Sequence, residues 1–165
     1  MYNINASKDI QENYQALYMA ISAHMEDEGD VVANLANISA FLYQYLPDVN
    51  WAGFYLLKGG ELVLGPFAGK PACTRIALGR GVCGVAARDG RVIVVPDVHV
   101  FDGHIACDGE TNSEIVLPIY KGDAVFGVLD IDSPVLNRFD EIDEDYLRKI
   151  ADIISKFLED TNECI

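Results

Sequence analysis

The run Ser113-Glu-Ile-Val-Leu-Pro-Ile-Tyr120, Lys121-Gly-Asp123, Ala124-Val-Phe-Gly-Val-Leu-Asp-Ile-Asp132 reads as two strands around a tight connection. Residues two apart in a strand share a face, so Glu114, Val116 and Pro118 lie on one side and Ile115, Leu117 and Ile119 on the other. Asp130 and Asp132 likewise share one face, and Leu129 and Ile131 the other. If Lys121-Gly122-Asp123 is a simple three-residue loop, Tyr120 pairs with Ala124, and counting back places Glu114 directly opposite Asp130. A bulge at Gly122 would break that register. Like charges facing one another destabilise a sheet. Three carboxylates gathered there need an offsetting partner: a metal, an ammonium group or a shared proton. Otherwise they sit at a wet sheet end.

Outward from this hairpin the chain alternates between apolar periodicity and breakers. Upstream, Trp51 to Leu57 and Glu61 to Phe67 are strands joined at Gly59-Gly60. Gly65, Pro66, Gly69 and Pro71 turn the following stretch into loop, which ends in a short helix over Val82 to Arg88. Val92 to Val95 is a brief buried strand closed by Pro96. Ser7 suits the N-cap of a first helix with Ile10, Tyr14, Leu17, Tyr18 and Ile21 at helical spacing. Asp30 caps a second helix (Val31, Leu35, Ile38, Leu42, Tyr45) that Pro47 stops, and Asp140 caps a last one (Ile142, Tyr146, Ile150, Ile153, Phe157). The expectation is an α+β domain with a mainly antiparallel sheet, covering residues 1–165 as one unit.

Half of the 165 residues are hydrophobic, which excludes disorder, and no apolar run approaches a membrane span. The N-terminus lacks a signal-peptide pattern, so a cytoplasmic location is expected, where permanent disulfides are rare. The net charge of −14 argues against nucleic acid and anionic membranes as partners, although much of it crowds the C-terminal helix as a solvated face.

The polar stretch Gly103-His-Ile-Ala-Cys-Asp-Gly-Glu-Thr-Asn112 is a loop running into the strand at Ser113, and a long loop carrying a thiol is more often functional than idle. Cys107 reads either as a small buried hydrophobe or, given His104, Asp108 and Glu110 around it, as a reactive thiol. Cys73 follows Lys70-Pro71-Ala72 and precedes Arg75, a basic neighbourhood that favours thiolate. Cys83 sits at the start of the short helix, where the dipole favours thiolate, or it belongs to the core. Cys164 is next to the last residue and carries no expected role. His99, His104 and Cys107 have a spacing permissive for zinc, but no paired Cys-x-x-Cys ligands accompany them, so no metal is expected. Gly79-x-Gly81-x-x-Gly84 has dinucleotide-motif spacing without a parallel βαβ unit around it, and is a coincidence. Trp51 and Tyr55 share a strand face, as core or as an aromatic box around a methyl or thioether group.

Six runs occur in order: Gly69-Lys-Pro-Ala-Cys-Thr-Arg-Ile, Gly79-Arg-Gly-Val-Cys-Gly, Val95-Pro-Asp-Val-His, Gly103-His-Ile-Ala-Cys-Asp, Ser113-Glu-Ile-Val and Gly127-Val-Leu-Asp-Ile-Asp-Ser-Pro. Together they closely resemble the free methionine-(R)-sulfoxide reductases, single GAF-domain enzymes. The resemblance runs from about Trp51 to the last helix and is specific, because most GAF domains lack the three cysteines. It implies that Cys107 is the nucleophile and Cys73 the resolving cysteine, with Cys83 as a third cysteine of less uniform role. It also implies that Glu114, Asp130 and Asp132 form the acidic substrate site, and Trp51 and Tyr55 the wall around the substrate methyl. A GAF-like sheet of about six strands, with the N- and C-terminal helices on one face, follows from it. So do a homodimer, thioredoxin as reductant and preference for the R epimer, while the thiol chemistry itself requires no bound cofactor. The acidic Gly109-Glu110-Thr111 insert and Cys164 are departures that touch no matched position.

The chemistry fits these parts. A sulfoxide oxygen leaves only once protonated, so a thiolate attacking the sulfur needs an acid beside it. Crowded carboxylates do not all ionise, and one can hold a proton near neutral pH. The sulfenic acid left on Cys107 condenses with Cys73 to a disulfide, which an external dithiol resets. The alternatives are a non-catalytic GAF module binding a small ligand, a thiol redox sensor without turnover, and the zinc site.

Overall fold

The computed structural model describes residues 9–105 and 108–161. Cys107 and Cys164, and Ser7 with its expected capping role, lie outside these residues. The central hairpin pairs β5 (Ser113–Lys121) with β6 (Ala124–Ser133). Its connection is tighter than expected: Lys121 pairs with Ala124, leaving only Gly122 and Asp123 in the turn, with Gly122 at φ 61°. An irregularity then follows between Ile119 and Tyr120, so Tyr120 faces Val125 while Ile119 faces Gly127. The shorter turn moves the register by one residue and the bulge by another. Glu114 therefore lies opposite Asp132, and Val116 opposite Asp130, correcting the expected Glu114–Asp130 pairing. Because two single steps preserve parity, the three carboxylates still share one face. Gly127 is required at the bulge, since a Cβ there would lie 2.3 Å from the backbone oxygen of Tyr55.

The hairpin anchors a six-stranded sheet in the order β3-β2-β1-β6-β5-β4, with every neighbouring pair antiparallel. Here β1 is Trp51–Lys58, β2 Glu61–Gly69, β3 Arg75–Ala77 and β4 Ile93–Val95. The three-residue edge strand β3 and the 3₁₀ turn Val98–Val100 were not expected. Helices α1 (Ile10–Asp27), α2 (Val31–Tyr45) and α4 (Glu141–Asp160) contribute to one core with Ala52, Phe54, Leu56, Ile115, Leu117, Leu129 and Ile131. The terminal helices thus share one face of the sheet. The short α3 (Gly81–Asp89) lies on the other, with Trp51, Tyr55, Val116 and Val128. No helix among the described residues is long and apolar enough to cross a membrane.

Asp9 and Asp30 cap α1 and α2 by accepting from Gln11 N and Ala33 N. Asp140 and Asp143 form a capping box at α4. Asp143 does more: Tyr14 OH donates to it at 2.5 Å and Arg138 Nη1 at 2.8 and 2.9 Å, tying α1, α4 and the segment after β6 together in a buried site. Removing the carboxylate strands the guanidinium. Asp143→Ala is expected to lower the unfolding free energy by about 3–5 kcal/mol, measured by urea denaturation, whereas Tyr14→Phe should cost only about 1 kcal/mol. Equal small losses would show that the ion pair is not what holds these elements.

Candidate active site

Facing α3, the sheet presents Trp51 and Tyr55 from β1, Asp130 and Asp132 from β6, and Glu114 from β5. The pairings Trp51–Asp132, Gly53–Asp130 and Glu114–Asp132 bring them side by side. All five line a pocket enclosing about 520 Å³ of empty space, part of it open to solvent. Cys83, His104, Ile105, Asp108 and Thr111 complete much of its wall.

The aromatic residues do two jobs. Trp51 is stacked between Tyr55, with ring centroids 5.9 Å apart, and Phe67, 5.4 Å away. Their polar atoms grip the loop after β2: Trp51 Nε1 donates to Lys70 O at 3.1 Å and Tyr55 OH donates to Cys73 O at 3.0 Å. Burial, followed by the Asp130 charge, pushes the Tyr55 phenol far up, so it stays a donor. Gly69, at φ 138°, lets the chain turn against Trp51; a Cβ there would sit 2.7 Å from Trp51 Cδ1.

The carboxyl groups separate in their protonation. Burial raises Asp130 to about 6. Burial first, and the charge of Asp130 next, push Glu114 and Asp132 well above the usual carboxylate range. Burial thus biases Glu114 and Asp132 towards their protonated forms, beside Asp130. Asp130 Oδ1 is buried and has no hydrogen-bond partner among the described residues. Because the folded pKa of Asp130 exceeds the unfolded one, folding favours its neutral form, and stability falls as pH rises through about 4 to 6. Asp130→Asn should therefore stabilise the ligand-free protein at pH 7.5, by about 1–3 kcal/mol, with the gain fading towards pH 4. Thermal melts across that range test it; a gain largest at low pH would contradict the assignment.

The thiols differ as sharply. Cys83 is a buried free thiol, 3.9 Å from Glu114 Oε1. Burial, then the charges of Asp130 and Glu114, hold it well above the ordinary thiol range, so of its two expected readings the core one fits. Cys73 is half-buried and disulfide-bonded, and Cys83 is not its partner. Arg75, expected to favour a Cys73 thiolate, forms an exposed ion pair with Glu61. His104 Nε2 lies 3.8 Å from Glu114 Oε2, with burial and then His99 lowering its pKa. His99 pairs with Asp97, Nδ1 to Oδ1 2.7 Å, and does not line the pocket.

Sequence reading missed the clasp at the pocket mouth. Lys70 Nζ reaches Asp108 Oδ1 at 3.5 Å and Glu110 Oε2 at 2.5 Å, and Asn50 Nδ2 donates to Asp108 and Thr111. The acidic insert is thus held against the loop after β2. No local motif marks these pairs, whose members lie 40 and 61 positions apart in the chain.

The GAF domain family model matches residues 32–159. The free methionine-R-sulfoxide reductase of Escherichia coli strain K12 is 53% identical over 92% of this chain and 92% of its own length. The same-named protein of Saccharomyces cerevisiae is 43% identical over 94% of this chain and 89% of its own. Among solved structures, free methionine-R-sulfoxide reductase from Neisseria meningitidis in complex with its substrate superposes with a TM-score of 0.92. It is 43% identical, with 96% of each chain covered.

Proposed function

This chain belongs to the free methionine-R-sulfoxide reductases of the GAF-domain family, and on that premise we propose that it reduces free L-methionine-(R)-sulfoxide to L-methionine by thiol chemistry. The observation that carries the reading is the pocket itself: three carboxyl groups that burial pushes towards their protonated forms, side by side under an aromatic wall. The Trp51–Tyr55 face takes the S-methyl group. Asp130 pairs with the substrate's α-ammonium through the oxygen that has no hydrogen-bond partner among the described residues.

Glu114 and Asp132 hold the protons that the reaction needs. As the Cys107 thiolate attacks the sulfur, a carboxyl proton is given to the sulfoxide oxygen. That attack joins the two sulfurs; the hydroxyl then passes to the Cys107 sulfur as the S–S and S–O bonds to the methionine sulfur break, so methionine leaves reduced and Cys107, oxidised by two electrons, is left as a sulfenic acid. Cys73 then displaces that oxygen as water, forming a disulfide, and a dithiol such as thioredoxin returns both thiols by exchange. The disulfide state of Cys73 and the free state of Cys83 support giving the resolving role to Cys73. A homodimer and a cytoplasmic setting complete the reading, both resting on the family resemblance and on the thiol chemistry.

The direct test supplies the reduced protein with both epimers of free methionine sulfoxide and a dithiol. The expected result is methionine equal to the R epimer added, with the S epimer left intact. No methionine, or equal loss of both epimers, would overturn the proposal.

A further inference from the structure

We propose that Cys83, Glu114 and Asp130 form a binding site for a borderline-soft divalent cation such as Zn²⁺, and that this cation and the amino-acid substrate exclude one another. One atom from each residue, a sulfur and two carboxylate oxygens, lies within 4.8 Å of the others, and all three residues are buried. A tetrahedral zinc with Zn–S near 2.3 Å and Zn–O near 2.0 Å sets its sulfur and oxygen ligands about 3.5 Å apart. Cys83 Sγ and Glu114 Oε1 are 3.9 Å apart, so this pair needs only a small contraction.

An independent observation points to a cation here. Asp130 Oδ1 is buried in the pocket wall with no hydrogen-bond partner among the described residues, an acceptor awaiting a donor or a metal. His104 Nε2 lies beyond Glu114, 3.8 Å from its Oε2. The pocket gives an entry path and leaves the fourth position for water. A thiolate in the donor set selects zinc, cadmium or cobalt over magnesium and calcium. No part of the proposed catalytic cycle uses Cys83, so the ion would act as an inhibitor. It would occupy Asp130 and Glu114, the groups assigned above to the ammonium and the transferred proton. Only this exclusion rests on the proposed function; the metal site itself does not.

Cobalt(II) reports on such a site through a thiolate-to-metal charge-transfer band and intense tetrahedral visible bands. The probe is Co²⁺ added to reduced full-length Cys73→Ser/Cys107→Ser/Cys164→Ser protein, in which Cys83 is the sole remaining cysteine. One equivalent should produce both signals, Mg²⁺ should neither produce nor displace them, and Zn²⁺ should remove them. Adding Cys83→Ser should abolish the charge-transfer band, and adding Glu114→Gln or Asp130→Asn should weaken binding at least about tenfold. Absence of the band, or unchanged affinity in both carboxylate variants, would overturn the site. Free methionine should raise the apparent Kd for Co²⁺. An unchanged Kd, in protein shown to bind methionine, would overturn the exclusion while the site stands.

Discussion

Replacing Cys107 by serine will take methionine formation to background, because an alcohol at neutral pH supplies almost none of the nucleophilic anion that a thiol does. Cys73→Ser will behave differently. Its first turnover should proceed, releasing about one methionine per protein, and thioredoxin-driven cycling should then stall at an unresolved sulfenic acid. The two variants separate attack from resolution in a single-turnover measurement of methionine per protein. Continued cycling by Cys107→Ser would remove the nucleophile from the account. A Cys83→Ser variant should retain the first turnover, since its thiol is buried and held protonated beside Glu114.

The second large effect concerns the form of the substrate. Free methionine sulfoxide brings an α-ammonium to the Asp130 oxygen that has no hydrogen-bond partner among the described residues, whereas an N-acetylated or peptide-embedded sulfoxide brings only a neutral amide. Leaving a buried carboxylate without its cation costs roughly 3–5 kcal/mol. That corresponds to discrimination of about a hundredfold or more, at a factor of ten for each 1.4 kcal/mol. The kcat/KM for free substrate should exceed that for the N-acetyl form by this margin, and Asp130→Asn should narrow the gap. Equal values would show that the carboxylates do not hold the ammonium.

Which parts of this were legible in the sequence follows from where the physics is local. Alternation along β1, β5 and β6 placed Trp51 with Tyr55 and Asp130 with Asp132 on shared faces, because side-chain direction in a strand depends only on parity. Register across the hairpin was less accessible. It depends on one extra residue near Gly127, and that glycine answers to the backbone of Tyr55, a contact far away in the chain. The expected facing pair was wrong by two residues, yet the carboxylates still met. The strand Arg75–Ala77 escaped notice because three residues carry no period, and its ladder partners lie on β2. Cys83 shows the same limit. The dipole at a helix start is local and readable, but the burial that overrides it comes from the sheet opposite. The Lys70–Asp108–Asn50 clasp joins three separate loops and has no signature in any of them.

The fate of reduced wild-type protein mixed with an equivalent of free methionine-(R)-sulfoxide and no external reductant is the most direct test of the thiol roles. Those roles predict one methionine released per protein and, by non-reducing peptide mapping, a Cys73–Cys107 disulfide with Cys83 still a free thiol. Methionine released with Cys83 bridged to Cys107 would contradict the assigned roles, and no methionine at all would contradict the reaction.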